Sequence, residues 1–484
     1  MDLRLSVVAP GARAPVDLRV SAPAGSPLGS VAGHLRAAAG VDGSLYVAGV
    51  PLRDETPLGT PPLVHGAVVT VGDPGRRQRP RGLLQLRVVG GPDAGAIRHL
   101  DPGVVRVGRA VGNDIRLDDP DVSRTHAQLT IGWDKVGVRD LGSTNGTTVG
   151  GRRVSDEVVP LPLGAPLRVG ASTVVLDMPV PSPAATRPDG VGRLEFNRPP
   201  RIRHRRAGTE ISLPAEPRVR ERTRFPLAAV LLPLVLTGVL VAVLRRPEFV
   251  VFAALSPLLL GGQWVGDRLG QRRDARGAWA DYERAVATTR ARLASAVAEE
   301  SAAARARAPD LADVLATVEL PTATLWHRRP ADADWLLVRL GTADQPSTVR
   351  IRSPTPEGVP AVDPPMLPDA PVTVALGEVG VLGLAGARHR VLGLARAMVA
   401  QLAVLHSPRD LQLVLLAPGG RAADWAWARW LPHLTPSNGQ DCAAPVGLND
   451  AQAVARVREL SALVEARREA AADRTPWPGP HTVF

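Results

Sequence analysis

The chain has 484 residues, 45% apolar and 22% charged. That is enough for roughly three domains at about 100–200 residues each, and too apolar for wholesale disorder. Its 58 basic and 47 acidic residues give a net charge of +11, and every basic residue except Lys135 is Arg. A single Cys (Cys442) excludes a disulfide framework and a Cys-based zinc site, and 3% aromatic residues with two Tyr argue against base-stacking platforms. The first 25 residues carry charges and Pro without an apolar core, so no signal peptide is expected.

Residues 1–75 read as a small α+β module. LRLSVVAP and VDLRVSAP are strand patterns around a turn at Gly11. SVAGHLRAAAG reads as a helix with Ser30 as cap and Gly40 as stop, and SLYVAGVPL and AVVTVG as later strands. This order, with the YVAGVPL hairpin, resembles a ubiquitin-like β-grasp domain. GRRQRP, 76–81, reads as a linker.

From 82 to 178 short strands alternate with Gly, Asp and Asn turns: LLQLRVVG, VVRVGR, AQLTIG, KVGVRDL, TTVGGRRV and STVVLDM. Regular spacing of this kind predicts a β-sandwich. VVRVGRAVGNDIRLDDPDVSRTHAQLTI, then VRDLGSTNGTTVGG, places Gly108-Arg109, Ser123-x-x-His126 and Asn145-Gly146 in one short stretch. A phosphothreonine brings about −1.5 to −2 charges and three acceptor oxygens, which call for a fixed guanidinium and short hydroxyl donors. Arg109, at a strand end, supplies the first. Ser123 and Thr144 supply the second, Arg124 is a further cation, and the Asn145 amide suits a peptide backbone. Gly108, Gly142 and Gly146 suit tight turns. This stretch resembles a forkhead-associated (FHA) domain. The resemblance implies that Arg109, Ser123, Arg124, Thr144 and Asn145 contact a phosphothreonine peptide and that Gly108, His126 and Gly146 are structural. DDPD at 118–121 reads as a solvated acidic turn rather than a cation site.

Residues 179–224 are rich in Pro and Arg, with ten Arg against four Glu in 193–224, and read as an aperiodic linker. Two uncharged runs follow, 225–244 and 249–266, separated only by Arg245, Arg246, Pro247 and Glu248. At 1.5 Å per residue each spans roughly 27–30 Å, a hydrocarbon core's thickness. The pattern predicts a transmembrane hairpin over 225–266 with both flanks on one side. The Arg-rich 193–224 stretch, with Arg268, Arg272, Arg273 and Arg276, marks that side as cytoplasmic. The expected location is the bacterial inner membrane, crossed twice, with lipid as a partner of the Arg-rich flank and nucleic acid not expected.

Residues 267–318 read as a solvated, Ala- and Arg-rich helical segment. From 319 to 484 strand-like DWLLVRLG, VTVAL, GVLGLAG and LQLVLLAP alternate with the apolar helix VLGLARAMVAQLAVLH, which predicts an α/β domain. Trp326, Trp335, Trp425, Trp427 and Trp430 read as packing anchors. The sequence ends at HTVF, the start of a strand-like run, so a longer protein is expected. RRPADADWLLVRLG and WAWARWLPH, with the preceding order of elements, resemble the FtsK/SpoIIIE-type ATPases of type VII secretion systems (the EccC/EssC family). That resemblance implies oligomeric assembly with other secretion membrane subunits. A phosphate-cradling G-x-x-x-x-G-K-[ST] loop needs a Lys and a hydroxyl that GVLGLAGARHR lacks. No catalytic residue, metal or cofactor is therefore expected in this chain. ATP and Mg²⁺ belong, by the resemblance, to modules after residue 484. The rival readings are an FtsK-type DNA translocase and a membrane-bound FHA signalling adaptor.

Overall fold

The computed structural model describes residues 1–12, 15–74, 84–178, 184–201, 209–217, 231–232, 235–236, 238–239, 242–243, 249–319, 321–353, 363–417, 419–437, 440–475, 477 and 479–484. The chain divides into two compact units: Met1–Arg203 with Arg305–Ala343 and Pro368–Phe484, and His204–Ala304 with Asp344–Leu367.

The larger unit begins with a five-stranded mixed sheet and one helix. Strand Asp2–Val8 pairs antiparallel with Val16–Ser21 and parallel with Val68–Val71, and Leu45–Val47 with Val50–Pro51 completes the sheet. Leu3, Leu5 and Val7 alternate onto one face and bury against Ala32 and Leu35 of helix Gly29–Ala39. Burying each Leu contributes about 1.5–3 kcal/mol. Gly40, left-handed, ends the helix as expected. Ser30 does not cap it. Leu28 occupies the N-cap in a helical conformation, and the Ser30 hydroxyl donates to the Pro27 carbonyl at 2.8 Å. The N–H groups of Leu28 and Gly29 bond instead to the carbonyls of Thr56 and Asp54, so a neighbouring segment does the capping.

Residues 84–178 fold as a β-sandwich. One sheet runs Val159–Pro160, Val136–Asp140, Ala127–Ile131, Gly103–Gly108, Ile115–Arg116. The other runs Arg152–Val154, Thr147–Val149, Pro166–Val169, Ser172–Asp177, Leu84–Gly90, Ile97–Leu100. The period-two pattern puts Leu86, Val88, Val107, Leu129, Val138, Leu167, Val169 and Val174 in the shared core. At one hairpin tip the Gly132 N–H meets the Lys135 carbonyl at 2.9 Å, leaving Trp133 and Lys135 exposed.

In the rest of this unit, Leu411–Leu413 pairs parallel with His481–Val483, and Leu415–Leu416 with Val446–Gly447. Helices Arg388–Leu405 and Asp450–Ala472 lie between strands in sequence, an α/β arrangement around Leu336, Val338, Leu402, Leu411, Leu413 and Leu434. The Asn449 side chain caps the second helix by accepting from Gln452 N–H. Trp335 packs edge-on against buried His406 at 4.7 Å, and the Trp326 indole donates to the Ala403 carbonyl at 3.1 Å. The expected strand at GVLGLAG does not form. Residues 381–385 pair with no strand among the described residues; Val381 is 88% exposed, and Leu382 and Leu384 are half-buried.

The aperiodic reading of 179–224 is also corrected. Thr186–Pro188 and Leu194–Phe196 form a hairpin, and two of the Arg are spent on half-buried and buried carboxylates. Arg198 donates to Asp410 at 2.7 Å, and Arg201 holds Asp334 with both terminal nitrogens at 2.6 Å and Asp332 at 3.2 Å. The linker at 76–81 lies outside the described residues, as do 179–183, 202–208 and 218–224.

In the second unit, most of the 59-residue helix Phe249–Arg307 is exposed, as the solvated reading of its polar part expects. Glu300, buried, accepts from the backbone of Thr348 and the hydroxyls of Ser347 and Thr348. Strands Glu210–Ser212 and Arg350–Arg352 pair in parallel. Residues 249–266 form the first part of the long helix, while most of 225–248 lies outside the described residues. Among the described residues no helix is long and apolar enough to cross a membrane.

Candidate functional site

Three loops of the sandwich line one cleft of about 700 Å³. All five residues expected to contact a ligand are on its wall: Arg109, Ser123, Arg124, Thr144 and Asn145. Arg109 leaves strand Gly103–Gly108 with its N–H bonded to the Ser123 carbonyl at 3.0 Å. Its Nε bonds to the Val122 carbonyl at 3.3 Å. The guanidinium is thus anchored at one nitrogen and exposed at its outer end. Arg124 is exposed beside it.

Ser123 and Thr144 are tied together. The Ser123 hydroxyl accepts from the Thr144 N–H at 3.1 Å. The Asn145 amide donates to the Asp121 carbonyl at 2.8 Å, so part of its donor capacity holds the loop rather than facing the cleft.

His126 is fully buried and does not line the cleft. Its Nδ1 accepts from the Ser123 N–H at 3.1 Å, which leaves the proton on Nε2 to donate to the Gly146 carbonyl at 3.2 Å. One ring therefore joins the Ser123 loop to the Asn145 loop. Gly108 and Gly146 are there for space and conformation. A Cβ on Gly108 would sit 2.4 Å from the Arg124 carbonyl and 2.8 Å from Asn113 Nδ2. Gly146 has φ +80° and lies under the Arg153 guanidinium.

Three supporting residues escaped the sequence reading. Asn113 donates to the carbonyls of Ala110 and Arg124 at 2.8 and 2.7 Å, fixing the turn between the first two loops. Asp140 accepts from the Ser143 N–H and hydroxyl and from the Thr147 hydroxyl, at 2.5–2.7 Å. Burial disfavours its charge, but these bonds outweigh that and hold its carboxyl below the usual carboxylate range. The Asp-x-x-Ser spacing was the one signal for it. The third is Asp119, within DDPD. That stretch is not wholly solvated: Asp119 is 1% exposed and bonds the Ser172 hydroxyl at 2.7 Å and the Asp121 N–H at 2.9 Å. The tertiary fold turns one of the three carboxylates inward to hold the cleft wall.

A cleft lined by two exposed Arg side chains and two hydroxyls matches the donor set a phosphate dianion needs. The sequence matches the FHA domain family over residues 105–170. The chain carries an FHA domain. Beyond that domain the chain is similar to proteins of ESX secretion systems. It is 28% identical over 235 residues to the ESX secretion system protein EccC of Thermomonospora curvata, covering 46% of this chain and 18% of that protein. It is 27% identical over 266 residues to the ESX-4 secretion system protein EccC4 of Mycobacterium tuberculosis, covering 49% and 21%. The matches span about a fifth of these relatives' lengths. Among solved structures, the FHA domain of Chlamydia trachomatis CT664 is 33% identical. It covers 20% of this chain and 98% of its own, with a TM-score of 0.19.

The loop at 380–387 offers no comparable cradle. It is mostly exposed, and helix Arg388–Leu405 starts at Ala387 without a side-chain cap. Arg388, in the first turn, is engaged by Asp424 at 2.7 Å.

Proposed function

We propose that this chain is the membrane-anchored N-terminal part of a type VII secretion coupling ATPase, and that its FHA cleft docks a phosphothreonine-containing protein. The observation that carries the docking role is the convergence of Arg109, Ser123, Arg124, Thr144 and Asn145 on one cleft, locked from behind by His126. The similarity to EccC proteins supports the secretion context. In this reading residues 225–266 cross the inner membrane twice, leaving both flanks cytoplasmic. Their two uncharged runs and the Arg-rich sequence on either side support it. The first domain is a ubiquitin-like β-grasp and the α/β domain a non-catalytic ATPase-like module. ATP and Mg²⁺ serve later modules of the longer protein, which assembles as an oligomer with other secretion subunits.

Isothermal titration of the chain against a degenerate phosphothreonine peptide pool tests the docking role. Heat is expected from the phosphorylated pool alone and is lost in Arg109→Ala. Absence of heat with the unaltered chain makes the cleft vestigial. Protease shaving of sealed vesicles tests the anchor, and cleavage of the two flanks from opposite faces overturns the hairpin.

A further inference from the structure

A second cavity, of about 630 Å³, adjoins the FHA cleft within the same compact unit. The two share a wall: Pro120 and Asp121 line both. The far side of the second cavity belongs to the α/β domain, with Leu394 and Ala397 supplying apolar surface, Arg390 a cation and His389 a polar ring. Both polar side chains are exposed, and among the described residues neither has a hydrogen-bond or ion-pair partner. Arg388, next to them, is by contrast committed to Asp424.

The two walls are bolted together. Arg87, on FHA strand Leu84–Gly90, bonds Asp310 at 3.2 Å and also Asp313, on helix Leu311–Glu319, and its guanidinium is 11% exposed. The turn at Gly95 packs against Leu315 and Leu311 of that helix. Arg168 pairs with Asp369. The shared wall is equally fixed. The Asp121 carbonyl is held by Asn145 and its N–H by Asp119. The groove is therefore built from two domains in a set relation, continuous with the cleft, and cationic at its far end.

We propose that the peptide docked by its phosphothreonine crosses the Pro120–Asp121 wall and continues into this second cavity. There an apolar residue rests on Leu394 and Ala397, and an acidic residue meets Arg390, assisted by His389. The α/β domain thus reads the sequence flanking the phosphothreonine. This rests on the docking role given to the FHA cleft. The occupant follows from continuity with that cleft and from charge: a groove ending in the unpaired Arg390 guanidinium suits an acidic chain already committed to a phosphate site.

The test uses the full chain in detergent or nanodiscs, with fluorescence anisotropy of labelled phosphothreonine peptides. A peptide of about 12 residues reaches roughly 40 Å at about 3.3 Å per residue, enough to leave the cleft, whereas one of about five residues reaches only some 16 Å. Long peptides carry either an apolar-acidic or an apolar-basic flank, drawn as pools on each side of the phosphothreonine. The acidic-flanked long peptide is expected to bind about tenfold more tightly than the short one, as one charge-assisted contact allows. Arg390→Glu is expected to erase that gain, leave the short peptide unchanged and transfer preference to the basic flank. The transferred preference separates a lost contact from a misfolded domain. Equal affinities of long and short peptides for the unaltered chain overturn the inference while leaving the docking role standing. So does a loss in Arg390→Glu that is equal for both lengths. Failure of every phosphothreonine peptide to bind overturns both.

Discussion

Two glycine-rich loop regions of this chain invite the same reading as phosphate cradles, and their structures differ at almost every supporting contact. The FHA loops are braced from behind by Asn113, His126, Asp119 and Asp140, each bonding two or more partners. The loop before helix Arg388–Leu405 is exposed and borders an uncapped helix start. Glycines and a cation recur in both. What separates a site from a mere turn is the buried polar scaffold that aims the exposed groups, because an unaimed guanidinium loses its ordering entropy on every binding event.

Removing the cation from each loop gives the largest contrast between them. Arg109→Ala is expected to weaken phosphothreonine peptides roughly 100-fold, the loss of charge-assisted bonds worth about 1.5–3 kcal/mol each. Arg388→Ala is expected to leave that affinity unchanged, and titration calorimetry decides. Next comes the brace. His126→Ala leaves the Ser123 N–H and the Gly146 carbonyl unpaired, at about 1–3 kcal/mol for each buried group. A lowered FHA melting transition together with lost peptide binding is expected, whereas binding that survives would deny the ring its linking role. Smaller still is the paired glycine test. Gly108→Ala forces a methyl against the Arg124 carbonyl and should cost about 1–3 kcal/mol by overpacking. Gly383→Ala meets nothing within 4 Å and should stay within about 0.5 kcal/mol of neutral.

Much of this was readable beforehand, and the reason is physical. The strands of residues 84–178 alternate faces, so their apolar pattern is local. The cleft-lining residues sit in loops whose Gly, Asn and Ser types are dictated by turn chemistry. The braces were not readable, because Asp119 finds Ser172 and Asn113 finds Arg124 only once the sheets have packed. Ser30 misled for a related reason. A good capping type stood near a helix start whose donors were already taken by residues 54–56. GVLGLAG misled because apolar character alone does not supply the neighbouring strand that a sheet requires.

A separate test distinguishes the α/β domain from its surroundings by acid. Burial pushes His406 down to about 3 and His433 to about 4, from an ordinary 6.5. Each stays neutral when folded and takes up a proton when unfolded. Stability is therefore intact above pH 6.5 and is lost as pH falls from there toward about 4 for His433 and about 3 for His406. Melting curves at successive pH values should show this decline, and His433→Gln should make it shallower. An unchanged slope would mean that His433 does not sense the fold.

The hairpin tip at Gly132–Lys135 carries the only lysine of 484 residues. Amine-directed dyes, crosslinkers and surface attachments therefore meet one side-chain amine, on the FHA sandwich, besides the Met1 α-amine that bonds to the Ala22 carbonyl. A tether point on that domain is thus in place without lysine mutagenesis.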